Sequence, residues 1–344
     1  MSGHLLIRPP GFPTSGNQYN PMFPSCMFKE NTRAYLALAV VCVVWGTTYL
    51  AMRVGVTGFP AFLFSGLRHC TAALILWLVL PFLKKKFSFR YRDVIRQVIP
   101  GILMLGLGNG VIGWAEKYIP SGLAALIVSI MPLYVVVINF ITGDGRDLNK
   151  KIVTGLLLGC VGIVLIFKDN LSDLGDARYF WGVIATFLAS LAWAAGTIYM
   201  KKSAATTDPY INTALQLTSG GLSLILASFF LDDYSELQTV SSDSIWALVY
   251  LILFGSLLSY FCYLYAIRNL PVGLVAVYAY INPFIAVGLG FLILNEKVTP
   301  YTAIAFATTV TGVYFINAGY RKKKPREEVK DTAQAQTLED TKVS

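Results

Sequence analysis

The sequence predicts an all-α polytopic membrane protein, with ten transmembrane helices laid out as two inverted five-helix repeats. Three observations carry that prediction. Of the 344 residues, 55% are hydrophobic and 14% charged, against about 25% charged in an ordinary soluble domain. The chain therefore lacks the polar surface to face water all round. Its cations are gathered into short clusters between apolar runs, such as KKKFSFRYR (84–92) and YRKKKPR (320–326). Finally, WGTTYLAMR (45–53) returns 148 residues later as WAAGTIYMK (193–201).

A helix needs about 20 apolar residues to cross the hydrocarbon, and a segment in lipid must satisfy its own backbone, which favours helices. Stretches of this kind run over 34–53, 60–83, 96–116, 120–141 and 151–168, then over 179–200, 210–231, 244–267, 271–294 and 300–320. Residues 1–30 are rich in Pro, Gly, Ser and Asn, lack the apolar core of a signal peptide, and read as a disordered tail; Met27 is a candidate start. The polar residues 321–344 read as a disordered cytoplasmic tail. Between the tails, 31–170 and 178–320 are the two expected repeats.

Alternate loops test the layout. One set, both tails included, holds 22 of the 28 Lys and Arg residues; the other holds Arg53, Lys117, Lys168, Arg178 and Lys297, with Arg68 left inside a stretch. The positive-inside bias puts the basic set, and both termini, in the cytoplasm. The loops KDNLSDLGDAR (168–178) and DDYSELQTVSSDS (232–244) of the opposite set are acidic.

Sliding the second half over the first by 148 residues aligns Trp45 with Trp193, Met52 with Met200, and Arg68 with Gln216. A shift of 151 aligns IPSGLAALIVSIMP (119–132) with LPVGLVAVYAYINP (270–283). An odd number of spans per unit turns the second unit upside down, and inverted repeats of this kind hold substrate near midplane at the repeat interface.

Polar residues fall in helical stripes. Trp45, Thr48, Tyr49 and Met52 share one face, as do Thr186, Ser190, Trp193 and Thr197; Ser256, Ser259, Tyr260 and Tyr263 form a third stripe, and Tyr278 with Asn282 a fourth. Such stripes face a bundle interior or a water-filled cavity, although Ser and Thr also serve as glue between helices. The expected cavity lining is Trp45, Thr48, Tyr49, Asn109, Trp193, Thr197, Tyr260, Tyr263, Tyr278 and Asn282, with Trp45 and Trp193 facing each other across the path. Pro132 and Pro283 should break or bend matched spans and free backbone carbonyls, and Asn282 could satisfy one. Gly155, Gly159 and Gly162 form a small-residue face for a neighbouring helix or for a homodimer.

Arg68 could bind a substrate carboxylate or fix the second helix through backbone carbonyls. Every Asp and Glu lies in a loop, a tail or a helix end, with Glu116 and Glu296 the closest to the membrane interior. A proton carrier of the usual buried-carboxylate kind is therefore not visible. Either His69 or a helix-end Glu takes that role, or transport is driven by the substrate gradient alone.

The chain resembles the EamA-type permeases of the drug/metabolite transporter superfamily over roughly residues 34 to 320. The carriers of the resemblance are VVWGTTYLAMRVG (43–55), FLFSGLRHCTAALIL (62–76), SGLAALIVSIMPLY (121–134) and INPFIAVGLGFLILNEKVTP (281–300). The resemblance implies ten helices from two EamA units, and export or exchange of small metabolites, amino acids among them, across the bacterial inner membrane. It favours a structural role for Arg68; His69, Pro132, Gln216, Pro283 and Glu296 are expected to serve gating or structural roles beside it. Two departures stand out: TGDGRDLNK (142–150) occupies the place of LNEKVTP, with Asp144 an approximate stand-in for Glu296, and His69 follows Arg68 where the family usually has an aromatic residue.

The expected function is thus secondary transport of zwitterionic or neutral solutes by alternating access, with multidrug efflux as the alternative. An intramembrane enzyme would need a buried nucleophile with its base, or a motif such as HExxH, and a sensor would need a soluble output domain. The expected partners are the lipid bilayer, a small-molecule substrate and, from the glycine face, a second copy. Clustered cations beside spans argue against nucleic acid. No Cys or His spacing suggests a metal, and no cofactor is expected.

Overall fold

The computed structural model describes residues 25–83, 90–142, 149–169, 173–203, 208–270 and 278–320. The expected stand-in Asp144 and both tails beyond those limits lie outside the described residues. The described elements are helical throughout. They are α1 (Ser25–Val56), α2 (Ala61–Val79), α3 (Tyr91–Pro100), α4 (Val111–Ala115), α5 (Ser121–Val128), α6 (Met131–Ile141) and α7 (Lys150–Asp169), then α8 (Ala177–Lys202), α9 (Pro209–Leu231), α10 (Ser242–Tyr250), α11 (Ser259–Asn269), α12 (Tyr278–Leu294) and α13 (Pro300–Tyr320).

Among the described residues, seven helical rods are long and apolar enough to cross a membrane: Thr32–Val56, Ala61–Phe82, Tyr91–Ala115, Ser121–Ile138, Ala177–Met200, Pro209–Leu231 and Ser242–Tyr263. Ile281–Leu294 and Pro300–Ile316 are apolar but shorter. Length and composition alone therefore do not reach the expected ten. The expected ninth stretch, 271–294, starts in residues outside the described set, so only its second part is seen as α12. Large apolar side chains such as Phe82, Phe230 and Leu292 point outward, as they do where lipid replaces water.

Two rods contain a wide-turned segment. Between α3 and α4 the chain is π-helical over Gly101–Gly110, and between α10 and α11 over Leu251–Leu258. The two segments begin 150 residues apart, close to the offset at which the halves of the sequence align. Pro100 precedes the first; lacking an N–H, it cannot close the bond of a regular turn. Insertions of this type often mark functional positions inside helices.

The expected bend at Pro132 is a true interruption. Val128 ends α5, Ser129 and Ile130 form a turn, and α6 restarts at Met131 with Pro132 in its first turn. Proline suits that position because the N–H it lacks would have had no partner there. Pro283, by contrast, stays inside α12 and is buried.

Packing follows an exchange pattern. The first helix of the chain, α1, lies against α11 and α12, while α8 lies against the Gly101–Gly110 segment and α4 to α6. The helices α2 and α9 pack on each other, and so do α7 and α13. The face of Gly155 and Gly162 is occupied by α13. A Cβ on Gly155 would stand 2.5 Å from the Gly312 carbonyl, and one on Gly162 2.2 Å from Thr309 Oγ1. That face is therefore used within the chain.

Candidate functional site

An aromatic cluster fills the space between α1, α11 and α12. The Trp45 ring stands 4.9 Å from Tyr278, edge to face, and 5.4 Å from Tyr263; Tyr263 lies 6.1 Å from Tyr278 and 6.2 Å from Tyr260. Tilted and edge-to-face rings at such separations attract through their quadrupoles. Asn282 closes the cluster on one side, with its amide oriented to donate to the Cys42 carbonyl at 3.0 Å and to the Tyr278 carbonyl at 2.9 Å. Neither carbonyl is the one that Pro283 leaves without its N–H partner, which lies four residues before the proline, so these bonds tie α12 to α1 and do not serve the expected purpose.

A polar chain leads from this cluster across the bundle. Trp45 Nε1 donates to Ser259 Oγ at 2.7 Å, and Ser259 donates in turn to the Gly255 carbonyl at 2.8 Å. One turn away, Ser256 Oγ accepts from Arg68 Nε at 3.0 Å, and Arg68 Nη1 donates to Asn109 Oδ1 at 3.2 Å. Gly108, next to Asn109, lies so close to Trp193 that a Cβ there would stand 3.0 Å from Cε3 of the indole. Arg68, buried on α2, therefore ties the two π-helical segments together, with one tryptophan beyond each. Its guanidinium meets side-chain oxygens rather than the backbone carbonyls expected of it.

The structure brings Trp45, Tyr260, Tyr263, Tyr278 and Asn282 together as expected. It does not set Trp193 face to face with Trp45: α1 and α8 share little contact, and each tryptophan packs on the partners of its own helix. Thr48 donates to the Trp45 carbonyl at 2.6 Å and Thr197 to the Trp193 carbonyl at 2.9 Å, while Thr186 and Ser190 likewise bond their own helix. These hydroxyls are satisfied locally. Tyr49 packs against the apolar cluster that includes Ala115 and Ile119, with its hydroxyl within electrostatic reach of Tyr278. Gln216, paired with Arg68 by the repeat, donates to Gln97 Oε1 at 2.7 Å and to Met200 Sδ at 3.5 Å. His69 is 1% exposed, and neither of its nitrogens makes a hydrogen bond among the described residues. The Asn109 amide is close enough to influence it.

One end of the bundle is laced by contacts between the halves. α2 and α5 both begin after a proline, Pro60 and Pro120, whose side chain offers no acceptor to the first turn. Free N–H groups at a helix start need one. Asp232 supplies it to α2, accepting from Phe62 N at 3.2 Å and Leu63 N at 2.8 Å. Glu296 supplies it to α5, accepting from Ser121 N at 2.7 Å, Ser121 Oγ at 2.9 Å and Gly122 N at 3.1 Å. Lys117 pairs with Glu236, and Lys168 Nζ sits 5.0 Å above the Tyr301 ring. These are the loops that the charge count places together on one face. Asp232 escaped the sequence reading because its partners lie 170 and 169 residues away.

Comparison with known proteins agrees with this architecture. The chain is 30% identical over 295 residues to the uncharacterized inner membrane transporter YedA of Escherichia coli (strain K12), covering 85% of this chain and 93% of that protein. It is 24% identical to the uncharacterized transporter YoaV of Bacillus subtilis (strain 168), over 85% of this chain and 99% of YoaV. A probable amino-acid metabolite efflux pump of Escherichia coli (strain K12) is 24% identical over 84% of this chain and 96% of the pump. A crystal structure aligns with a TM-score of 0.57 at 19% identity, over 83% of this chain and 96% of that one, which speaks for the fold. The EamA-like transporter family matches twice, over residues 32–168 and 180–318, and the chain belongs to that family.

Proposed function

We propose that the protein is a multi-pass inner-membrane secondary transporter that exports or exchanges small zwitterionic or neutral metabolites, amino acids among them, by alternating access. In this reading the units 31–170 and 178–320 are inverted repeats that rock about the centre, with both termini in the cytoplasm. The observation that carries the reading is the Arg68 crossing, where a buried cation joins two π-helical segments between Trp45 and Trp193. Intramembrane ionisable groups are costly and mark substrate or ion paths, and π-helical insertions in helices are frequent at functional positions. The exchange of helix partners supports inversion, since α1 and α8 meet corresponding elements of the opposite half. The pump among the relatives, named for amino-acid metabolites, supports that solute class.

In this cycle the solute meets the Trp45, Tyr263 and Tyr278 rings and the Asn282 amide, while Arg68 and Asn109 hold the centre together. The test is a growth-rescue screen in a sensitive host under toxic loads of single amino acids and of cationic dyes. Rescue by an amino acid that is lost in Trp45→Ala, with the variant still inserted in the membrane, supports the assignment. Equal rescue by wild type and Trp45→Ala removes the aromatic cluster from the site, and rescue by dyes alone replaces the solute class.

A further inference from the structure

Glu116 follows α4 at the laced end of the bundle and is 0% exposed. Neither carboxylate oxygen makes a hydrogen bond among the described residues. Arg53 of α1 reaches Glu116, yet its Nη1 donates to the main-chain carbonyl of that residue and not to its carboxylate. The other charged groups that act on Glu116 are already engaged: Glu296 by Ser121 and Gly122, and Arg68 by Ser256 and Asn109. From the remaining packed elements, α1 brings the Tyr49 hydroxyl within electrostatic reach and α8 brings Tyr179 to the same buried cluster. Lys117, adjacent in sequence, is turned to Glu236.

An ionised carboxylate buried without a partner is unfavourable, whereas a neutral carboxylic acid in the same place is tolerable. The sealed environment therefore suits the acid form. Opening of this end would admit water and release Arg53 from the Glu116 carbonyl, and both changes favour the anion. We propose that Glu116 is a proton-binding site, and that binding of its proton is linked to closure of the laced end. The balance is simple: one proton passes between the carboxylate and water, and no other covalent bond changes. Because the closed form holds the proton more firmly than the open one, acid favours closure and alkali favours opening. The inference rests on the transporter reading for what opening accomplishes, but its measurements need no solute.

Infrared difference spectra of the purified protein, taken between about pH 5 and about pH 9, read the carboxylic acid C=O band directly. The expected result is a deuterium-sensitive band that Glu116→Gln removes and Glu236→Gln leaves in place. Opening is read by an impermeant maleimide on Ile119→Cys, a position that is 0% exposed, with its rate divided by that of exposed Ser235→Cys to cancel thiolate chemistry. The ratio should rise several-fold with pH when Glu116 is present and stay flat in the Glu116→Gln background, where the amide mimics the protonated state. No band, or a band that survives Glu116→Gln, overturns the proton site. A rise that Glu116→Gln retains, or that follows sodium at fixed pH, overturns the linkage. A protein that transports none of the screened solutes yet shows both signals would remove the solute assignment and leave this one standing.

Discussion

Replacing Glu296 by alanine removes the side chain that finishes the start of α5. Three donors converge on its carboxylate at 2.7, 2.9 and 3.1 Å, and Pro120 offers no substitute. Hydrogen bonds to a charged group are worth about 1.5–3 kcal/mol when removed singly. They do not add here, because all three share one acceptor group and one helix end. Loss of a cap costs about 1–2 kcal/mol, and loss of the charge beside the helix dipole about 0.3–1 kcal/mol more. Glu296→Ala should therefore cost about 1–3 kcal/mol, and Glu296→Gln, which keeps one acceptor oxygen, about 1 kcal/mol. At about 2 °C per kcal/mol for a chain of this size, the alanine variant melts about 2–6 °C lower. In a Cys160→Ser background, which removes an exposed thiol, a thiol-reactive fluorophore in detergent reads the transition, since Cys42 is buried and Cys70 and Cys262 are partly covered until the bundle opens. An alanine variant that melts with the wild type would refute the cap, and so would a glutamine variant that melts below the alanine one.

The same assay reads three further changes. Asp232→Ala should lower the melting temperature by about 2–4 °C, because α2 loses the acceptor for two N–H groups and costs about 1–2 kcal/mol. Gly162→Leu should destabilise by about 1–3 kcal/mol or more, the usual range for overpacking, since its first added carbon already collides with Thr309; Gly288→Ala, with nothing within 4 Å of the new carbon, should not. Lys117→Ala removes an ion pair whose Glu236 side chain is 35% exposed, and should change stability by no more than about 1 kcal/mol.

The rods were legible because apolar length speaks for itself, as in the match between the expected stretch 210–231 and the observed Pro209–Leu231. The Trp45 cluster was legible too, because the stripes of α1, α11 and α12 each carry their aromatic residues at helical spacing. Trp193 was misplaced for a reason of symmetry: related helices occupy related positions, so each meets the corresponding partners and not its own counterpart. The burial of Glu116 could not be read from hydropathy, which sees a helix end and not the helices that close over it. Nor could the wide-turned segments be read from a pattern of 3.6 residues per turn; Pro100 was the one local hint.

The Asp232 cap has a consequence for biosynthesis. Phe62 and Leu63 leave the ribosome 170 and 169 residues before the carboxylate that completes their helix end. At about 5–20 residues per second, that interval is about 10–30 s. Throughout it, the start of α2 has no carboxylate from its own half to close it, and water or lipid headgroups must serve in its place. The first half of the chain thus enters the membrane before the second has made the group that finishes it.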